Sequence, residues 1–126
     1  MTTHDTTIRD RRERLKISPA PQPRHDAVVT HRAEMGDTTI RLRYVPDRDI
    51  LSPDSLATYL ETIWKDGDAP LEEAAQTILE DINDQVIPSW LEVTLCRRSK
   101  GMEHDVQIED RQPHWKDRGL LDRLVP

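Results

Sequence analysis

The 126-residue chain has no phenylalanine, and its three tryptophans and two tyrosines make up only 4% of the residues. Its apolar fraction is 35% without glycine, against about 45–50% with glycine for typical soluble domains. A chain of this length predicts one domain. A small domain with so little apolar material is either marginally stable or gains buried surface by assembling with copies of itself. We therefore predict a homo-oligomer.

Cysteine is nearly absent, and the single Cys96 excludes a disulfide within the chain. No N-terminal apolar run resembles a signal peptide, and none is long enough to span a bilayer. These absences favour a cytoplasmic protein with no membrane partner. The Glu103-His104-Asp105 run has no second histidine or thiol nearby in sequence, whereas zinc sites need three or four converging ligands. No metal site is therefore predicted.

A long acidic stretch runs from Asp47 to Glu92. It holds twelve acidic residues, opposed only by Arg48 and Lys65, and therefore carries a net charge of −10. Such a surface repels phosphate backbones, so we expect no nucleic-acid partner to bind through this stretch. Most of these acids are expected to be solvated.

The chain divides into two tails and one domain. Residues 1–24 combine a run of mixed charge with alternating prolines, which predicts a disordered N-terminal tail. Residues 25–111 carry the periodic patterns of a folded domain. Residues 112–126 form a polar C-terminal tail whose leucines could anchor it on the domain or on a neighbour.

Within the domain, period-two alternation predicts strands over residues 28–33, 38–45, 90–96 and 105–109. A turn at 35–37 joins the first two strands, and a polar turn at 97–103 joins the last two. Apolar residues at helical spacing predict one helix from Ser52-Pro53 to Gly67 and another from Pro70 to just before Pro88. The order ββααββ indicates an α+β fold with four antiparallel strands and two helices on one face.

Several short motifs in residues 38–102 share their order and near-constant spacing with a known family. They are Tyr44-Val45-Pro46-Asp47, Ser55-Leu56, Tyr59-Leu60, Asp66-Gly67-Asp68, Glu72, Glu80-Asp81-Ile82, Pro88 and Leu91-Glu92-Val93. In these features the chain resembles QueF-type 7-cyano-7-deazaguanine (preQ0) reductases of the queuosine pathway. The resemblance implies the tunnelling fold (T-fold), in which several subunits close into a barrel and heterocycle sites lie between subunits.

The resemblance also implies site residues, although several family positions have changed. The family attacks its substrate nitrile with a cysteine and moves the proton with an aspartate, but residues 28–36 contain no cysteine, and Gly36 falls near the aspartate position. The substrate-binding Glu-Ser pair becomes Ser52-Pro53, and the His-Glu pair becomes Leu71-Glu72. This leaves Ser52 and Glu72 as substrate-binding candidates.

The Arg-Gly pair that contacts the nicotinamide cofactor in the family becomes Lys100-Gly101. Lysine keeps the positive charge but lacks the planar guanidinium that binds two acceptors at once. Lys100 and Gly101 are therefore the cofactor-binding candidates, and NADPH is the cofactor that the resemblance implies. Other basic residues come from strands and turns, and they could line an anion site or form salt bridges with acidic helices of a neighbour: Arg41, Arg43, Arg97 and Arg98.

Three hypotheses follow. The leading one is a divergent QueF-like protein that binds or acts on a purine- or pterin-like heterocycle at a subunit interface. The second is a non-catalytic oligomeric scaffold or accessory subunit. The third is an NADPH-dependent nitrile reductase, an oxidoreductase whose nucleophile has been relocated, because nitrile reduction needs a soft nucleophile such as a thiolate.

Overall fold

A computed structural model describes residues 3–21, 27–65, 69–117 and 119–126. In chain order the elements are α1 (Thr3–Glu13), β1 (Ile17–Pro19), β2 (Val29–Met35), β3 (Thr38–Val45), β4 (Asp49–Leu51), α2 (Pro53–Trp64), α3 (Leu71–Val86), β5 (Trp90–Ser99), β6 (Met102–Arg111) and a 3-10 turn (Leu121–Arg123). The four predicted strands and both predicted helices are present, and the α+β class is confirmed. No helix among the described residues is long and apolar enough to cross a membrane.

The main sheet is antiparallel with the order β2-β3-β5-β6. Its inner face carries the alternating apolar residues predicted from the sequence, and these pack with α2 and α3 into one core. Leu91, Val93 and Leu95 of β5 are fully buried on this face. Because side chains alternate along a strand, the polar residues between them project from the opposite, helix-free face, which we call the outer face.

The two predicted helices begin for the expected reasons. Ser52 caps α2 by accepting a hydrogen bond from the Ser55 amide, and Pro53 occupies the first helical position. Helix α3 ends in a left-handed residue, Ile87, whose amide donates to the carbonyl of Asn83. The predicted end of the first helix at Gly67 lies outside the described residues.

The predicted turn at 97–103 is much shorter in the structure. Strands β5 and β6 pair out to Ser99 and Met102, so only Lys100 and Gly101 remain between them. Both turn residues have positive φ, 55° and 75°, which suits the right-handed twist of the two strands. The polar residues around this turn gave no sequence signal of a strand, because residues 98–105 are exposed and have no buried apolar face.

The N-terminal segment differs from the prediction of a disordered tail over residues 1–24, because part of it is folded. Residues 3–13 form α1, and Ile17 begins a short strand that pairs with Leu51 of β4. The physical reason is Asp81 of α3, which is completely buried and binds both Arg11 and Arg12 of α1. A sequence pattern cannot show that a charged run is needed to neutralise a buried carboxylate about 70 residues away.

The C-terminal segment is anchored on the domain, as one of the sequence alternatives proposed. The carbonyl oxygen of Val125 accepts a hydrogen bond of 2.6 Å from Arg43 Nη1 on the outer face. Leu121 and Leu124 are half-buried, whereas the Val125 side chain is exposed. A backbone contact, together with the leucines, therefore holds this end of the chain.

Candidate functional site

Glu72 is the predicted site residue whose surroundings are most specific. It lies in the first turn of α3, and its Oε1 is 2.9 Å from Nε2 of His104 on the edge strand β6. Both side chains remain about half exposed, at 61% for Glu72 and 49% for His104. The family's histidine beside this glutamate is replaced by Leu71, which is buried in the core. In the structure, the histidine next to this carboxylate therefore comes from strand β6 and not from the preceding position of α3.

A cavity of about 560 Å³ lies beside this end of α3. Trp64 at the end of α2, Arg97 of β5 and Arg14 after α1 contribute to its wall. Glu73 lines the cavity as well, whereas its neighbour Glu72 faces His104. Trp64 forms part of the cavity wall, whereas Leu71 is buried in the core and Glu72 is not among the residues that line this cavity.

Ser52 lies far from Glu72. It caps the start of α2, and the start of α3 follows the other end of that helix after a short connection. A twelve-residue helix is about 18 Å long, so the two predicted substrate-binding residues cannot meet one small ligand within a single chain. Within the chain, the Ser52 hydroxyl accepts a hydrogen bond from the Ser55 amide, and the Ser52 backbone N–H donates to the carbonyl of Lys16. Its contact with a ligand stays a prediction that requires a second copy.

The cofactor candidates Lys100 and Gly101 form the tight turn between β5 and β6. Both are exposed, and both adopt left-handed conformations. Their sequence can therefore be explained by the geometry of the turn alone. A role in binding NADPH stays a prediction.

Replacing Lys100 with asparagine tests whether the geometry of the turn accounts for the contribution of this residue to stability. Asparagine tolerates the left-handed conformation better than lysine, and Asn-Gly favours this type of turn, so we expect the free energy of unfolding to stay constant or rise by roughly 0.5 kcal/mol. Urea unfolding measures this change. A loss of more than about 1 kcal/mol would show that the lysine side chain supports the fold in a way that the turn geometry does not explain.

On the outer face, charged residues form a network within the chain. Glu92 of β5 is 7% exposed and accepts hydrogen bonds from Arg43 at 2.7 Å and from Arg41 at 3.2 Å. Gln107 of β6 donates a third bond of 3.0 Å to the same carboxylate. The structure therefore pairs Arg41 and Arg43 within the sheet, where the sequence left open an anion site or salt bridges with helices of a neighbour.

Cys96 also lies on the outer face, the side of the sheet opposite Glu72. Hydrogen bonding to Asp105, followed by the nearby Glu103, raises the pKa of the Cys96 thiol. The basic neighbours in sequence do not activate it, because Arg98 pairs with Glu103 and Arg97 projects from the inner face toward Thr38. The thiol is therefore not prepared as a nucleophile.

Three groups of the outer face could approach a metal ion together. Ligand atoms of Cys96, Glu103 and Asp105 lie within 4.8 Å of one another. His104, which the sequence considered in this cluster, projects from the other face and binds Glu72 instead. The remaining three groups are partly or fully exposed and carry hydrogen bonds among themselves, so they do not by themselves establish a metal site.

His31 is a partly buried histidine that the sequence analysis did not identify as a site residue. It lies on β2 and stacks on Tyr44 with 6.1 Å between ring centroids. Burial lowers the pKa of His31, and among the described residues its Nε2 has no hydrogen-bond partner. The neighbouring cavity of about 250 Å³ is largely apolar. Period-two alternation could have placed His31 on the inner face.

Comparisons with known proteins agree on one family and fold. The family model described as QueF-like protein matches residues 37–114, more than half of the chain. The crystal structure of the archaeosine synthase QueF-Like in the apo form matches with a TM-score of 0.52 and 19% identity, covering 70% of this chain and 95% of that chain. At this identity the structural match concerns the fold alone. Among curated proteins, none matches this chain.

Proposed function

Because this chain belongs to the QueF-like protein family, we propose that it binds a purine- or pterin-like heterocycle with Glu72 as the anchor of the ring. A second copy of the chain completes the cleft. One observation carries the proposal: Glu72 is an exposed carboxylate 2.9 Å from Nε2 of His104 on β6, an edge strand of the sheet that the structure describes. The family supports a deazaguanine-type ring as the ligand, and hence a role in the metabolism of modified tRNA bases.

The chemistry of Glu72 suits a ring of this kind. His104 contacts one carboxylate oxygen, Oε1, and no described residue contacts Oε2, which can accept a hydrogen bond from a ring N–H group. Hydrogen bonds to an ionised acceptor are roughly twice as strong as neutral ones. The contact with His104 also orients the carboxylate, so less side-chain entropy is lost when a ligand binds.

The edges of the main sheet support assembly. Strands β2 and β6 form its two edges, and β6 is exposed along most of its ten residues. Unpaired edge strands readily pair with another chain unless they are blocked. Pairing of β6 with β2 of a second copy would continue the sheet and would bring new side chains toward Glu72. This assembly would also add buried surface, which is one of the two consequences expected of the low apolar fraction.

Nitrile reduction has weaker support than binding. The reaction needs a nucleophile beside the substrate, and the only thiol of the chain lies on the face opposite Glu72. The raised pKa of Cys96 further reduces its thiolate fraction at neutral pH. The proposed function is therefore binding, or a reaction that needs no thiolate, rather than the chemistry of the preQ0 reductases.

We predict that Glu72→Gln weakens binding of the heterocycle at least about tenfold, because glutamine loses the charge and changes the acceptor pattern that the ring recognises. Isothermal titration calorimetry with deazapurine and pterin ligands measures the affinity. Native mass spectrometry of the untreated protein reports the number of subunits and any heterocycle that is purified with it.

Glu73→Gln is the matched control, since it removes one charge from the same helical turn. Equal losses in both variants would indicate a general effect of charge on α3 rather than anchoring by Glu72. A loss confined to Glu73→Gln would move the site into the cavity that Glu73 lines. Absence of binding by the parent protein would contradict the proposed function altogether.

A further inference from the structure

The outer face carries a second cavity, of about 680 Å³, which the proposed function does not use. Arg41, Thr94, Asp105 and Gln107 contribute to its wall. It lies on the side of the sheet opposite Glu72, because Asp105 and Gln107 alternate with inward-facing residues of β6. A ligand in this cavity would therefore not touch the heterocycle site of the same subunit.

Two of the residues that line this cavity each have a polar atom without a hydrogen-bond partner in the described part of the chain. Arg41 Nε and Thr94 Oγ1 are buried, yet neither has a hydrogen-bond partner among the described residues. The two residues are directly paired across β3 and β5, so both atoms belong to one small region. Leaving a buried polar group without a partner is unfavourable, and such a group calls for a partner that the protein itself does not supply.

The unpaired atoms define the chemistry of the missing partner. Arg41 Nε carries one N–H donor, and Thr94 Oγ1 carries one O–H donor. The Arg41 guanidinium is already oriented by its bond from Nη2 to Glu92. A carboxylate presents two coplanar acceptor oxygens, one for each donor, and Arg32, which pairs with Arg41 across β2 and β3, adds a second positive charge.

The far side of the cavity has the opposite character. Asp105 is an exposed carboxylate on β6, and Gln107 directs its amide nitrogen to Glu92, which leaves its carbonyl oxygen as an acceptor. Strands β3 and β6 are two steps apart in the sheet, or roughly 10 Å. The wall thus carries the two unpaired donors on β3 and β5 and acceptors on β6, while Glu34 on β2 and Pro126 also line the cavity.

We propose that this cavity binds a small zwitterion whose carboxylate lies on Arg41 Nε and Thr94 Oγ1 and whose ammonium group, a few methylenes away, lies near Asp105 and Gln107. The two charges of such a ligand match the donors on β3 and β5 and the acceptors on β6. A simple anion would instead meet the carboxylate of Asp105 without compensation. The site is independent of the proposed heterocycle function, since it shares no residue with Glu72 and its surroundings.

The test uses three probes of equal chain length: γ-aminobutyrate, butyrate and butylamine. Nitrogen-15 NMR of the full-length protein follows the Nε–H resonance of Arg41 during each titration. We expect γ-aminobutyrate to shift this resonance saturably, butyrate to bind more weakly, and butylamine to leave it unchanged. No saturable shift with γ-aminobutyrate would overturn the proposal, as would an equal response to butyrate or a response to butylamine.

Variants then test the two donors by calorimetry. Thr94→Val removes the hydroxyl while keeping the shape of the side chain, and it should weaken γ-aminobutyrate binding about tenfold, or 1.4 kcal/mol. Arg41→Lys removes the Nε–H group and should abolish measurable binding. Arg98→Lys is the control, because Arg98 is 77% exposed and, among the described residues, its side chain pairs with Glu103 at the hairpin. Unchanged binding in Thr94→Val would contradict the assigned geometry even if Arg41→Lys fails to fold.

Discussion

The double variant Arg11→Gln/Arg12→Gln is expected to lower the free energy of unfolding by about 3–5 kcal/mol, the cost of removing the partners of a buried charge. Asp81 has no exposed surface. Its carboxylate accepts bonds of 3.0 Å from Arg11 Nη2 and 2.8 Å from Arg12 Nε, and a further bond from the Tyr59 hydroxyl. Without the arginines, only the neutral hydroxyl among these donors remains.

The contribution of Asp81 to the pH dependence of stability should have opposite signs in the parent protein and in the double variant. Burial by itself raises the pKa of Asp81, but the hydrogen bonds from Arg11, Arg12 and Tyr59 outweigh it and hold the pKa below the ordinary value. In the parent protein this carboxyl therefore stabilises the fold above about pH 3.9, and the contribution is lost as the pH falls through the lowered pKa. In the double variant burial dominates and the pKa rises, so protonation at low pH should restore part of the lost stability.

Urea unfolding of parent and variant at neutral and acidic pH measures both effects. The matched control is Arg9→Gln/Arg14→Gln, which removes the same charge from exposed positions of the same segment. It should change the free energy of unfolding by less than about 1 kcal/mol. Similar losses in the two double variants would show that α1 is held by its total charge and not by the contacts with Asp81.

The second large effect is expected at Glu92. We predict that Glu92→Leu lowers the free energy of unfolding by about 3–5 kcal/mol, because the buried guanidinium of Arg43 then has no carboxylate partner. The Arg43 side chain is 9% exposed, and it lies between Glu92 and the ring of Trp90, 5.9 Å from the ring centroid. Loss of the Glu92 carboxylate should cost less free energy at Arg41, because 20% of its side chain is exposed to solvent.

Replacing both members of the pair distinguishes a lost ion pair from lost packing. In Arg43→Met/Glu92→Leu no charge of this pair remains buried, so stability should recover by several kcal/mol relative to Glu92→Leu alone. Urea unfolding of the two single variants and the double variant gives the coupling energy directly. Additive losses in the double variant would contradict the assignment and would show that the side chains act through packing alone.

The strands of the inner face and the two main helices could be predicted from the sequence because their signals are local. Alternation of Leu91, Val93 and Leu95 indicates one buried strand face, and Ser52-Pro53 marks a helix start whatever the surroundings. The family resemblance is also carried by the order of short motifs, and the match to the QueF-like family confirms it. Glu72 could be named for the same reason, although its histidine partner could not.

The features that escaped the sequence depend on contacts between distant residues. From the sequence, Asp81 appeared to be one solvated acid among twelve. In the structure it is buried, and Arg11 and Arg12 of α1 neutralise its charge. His104 appeared in an acidic run, yet alternation along β6 turns it toward Glu72 and leaves its neighbours on the outer face.

The sequence by itself determined the order of the four strands of the main sheet and of α2 and α3, their buried faces, the family and the absence of a cysteine at the family's catalytic position. Only the tertiary structure decided which charges meet. The reason is physical: backbone periodicity and capping act over a few residues, whereas the energy of a carboxylate depends on burial and on partners that any part of the chain can supply.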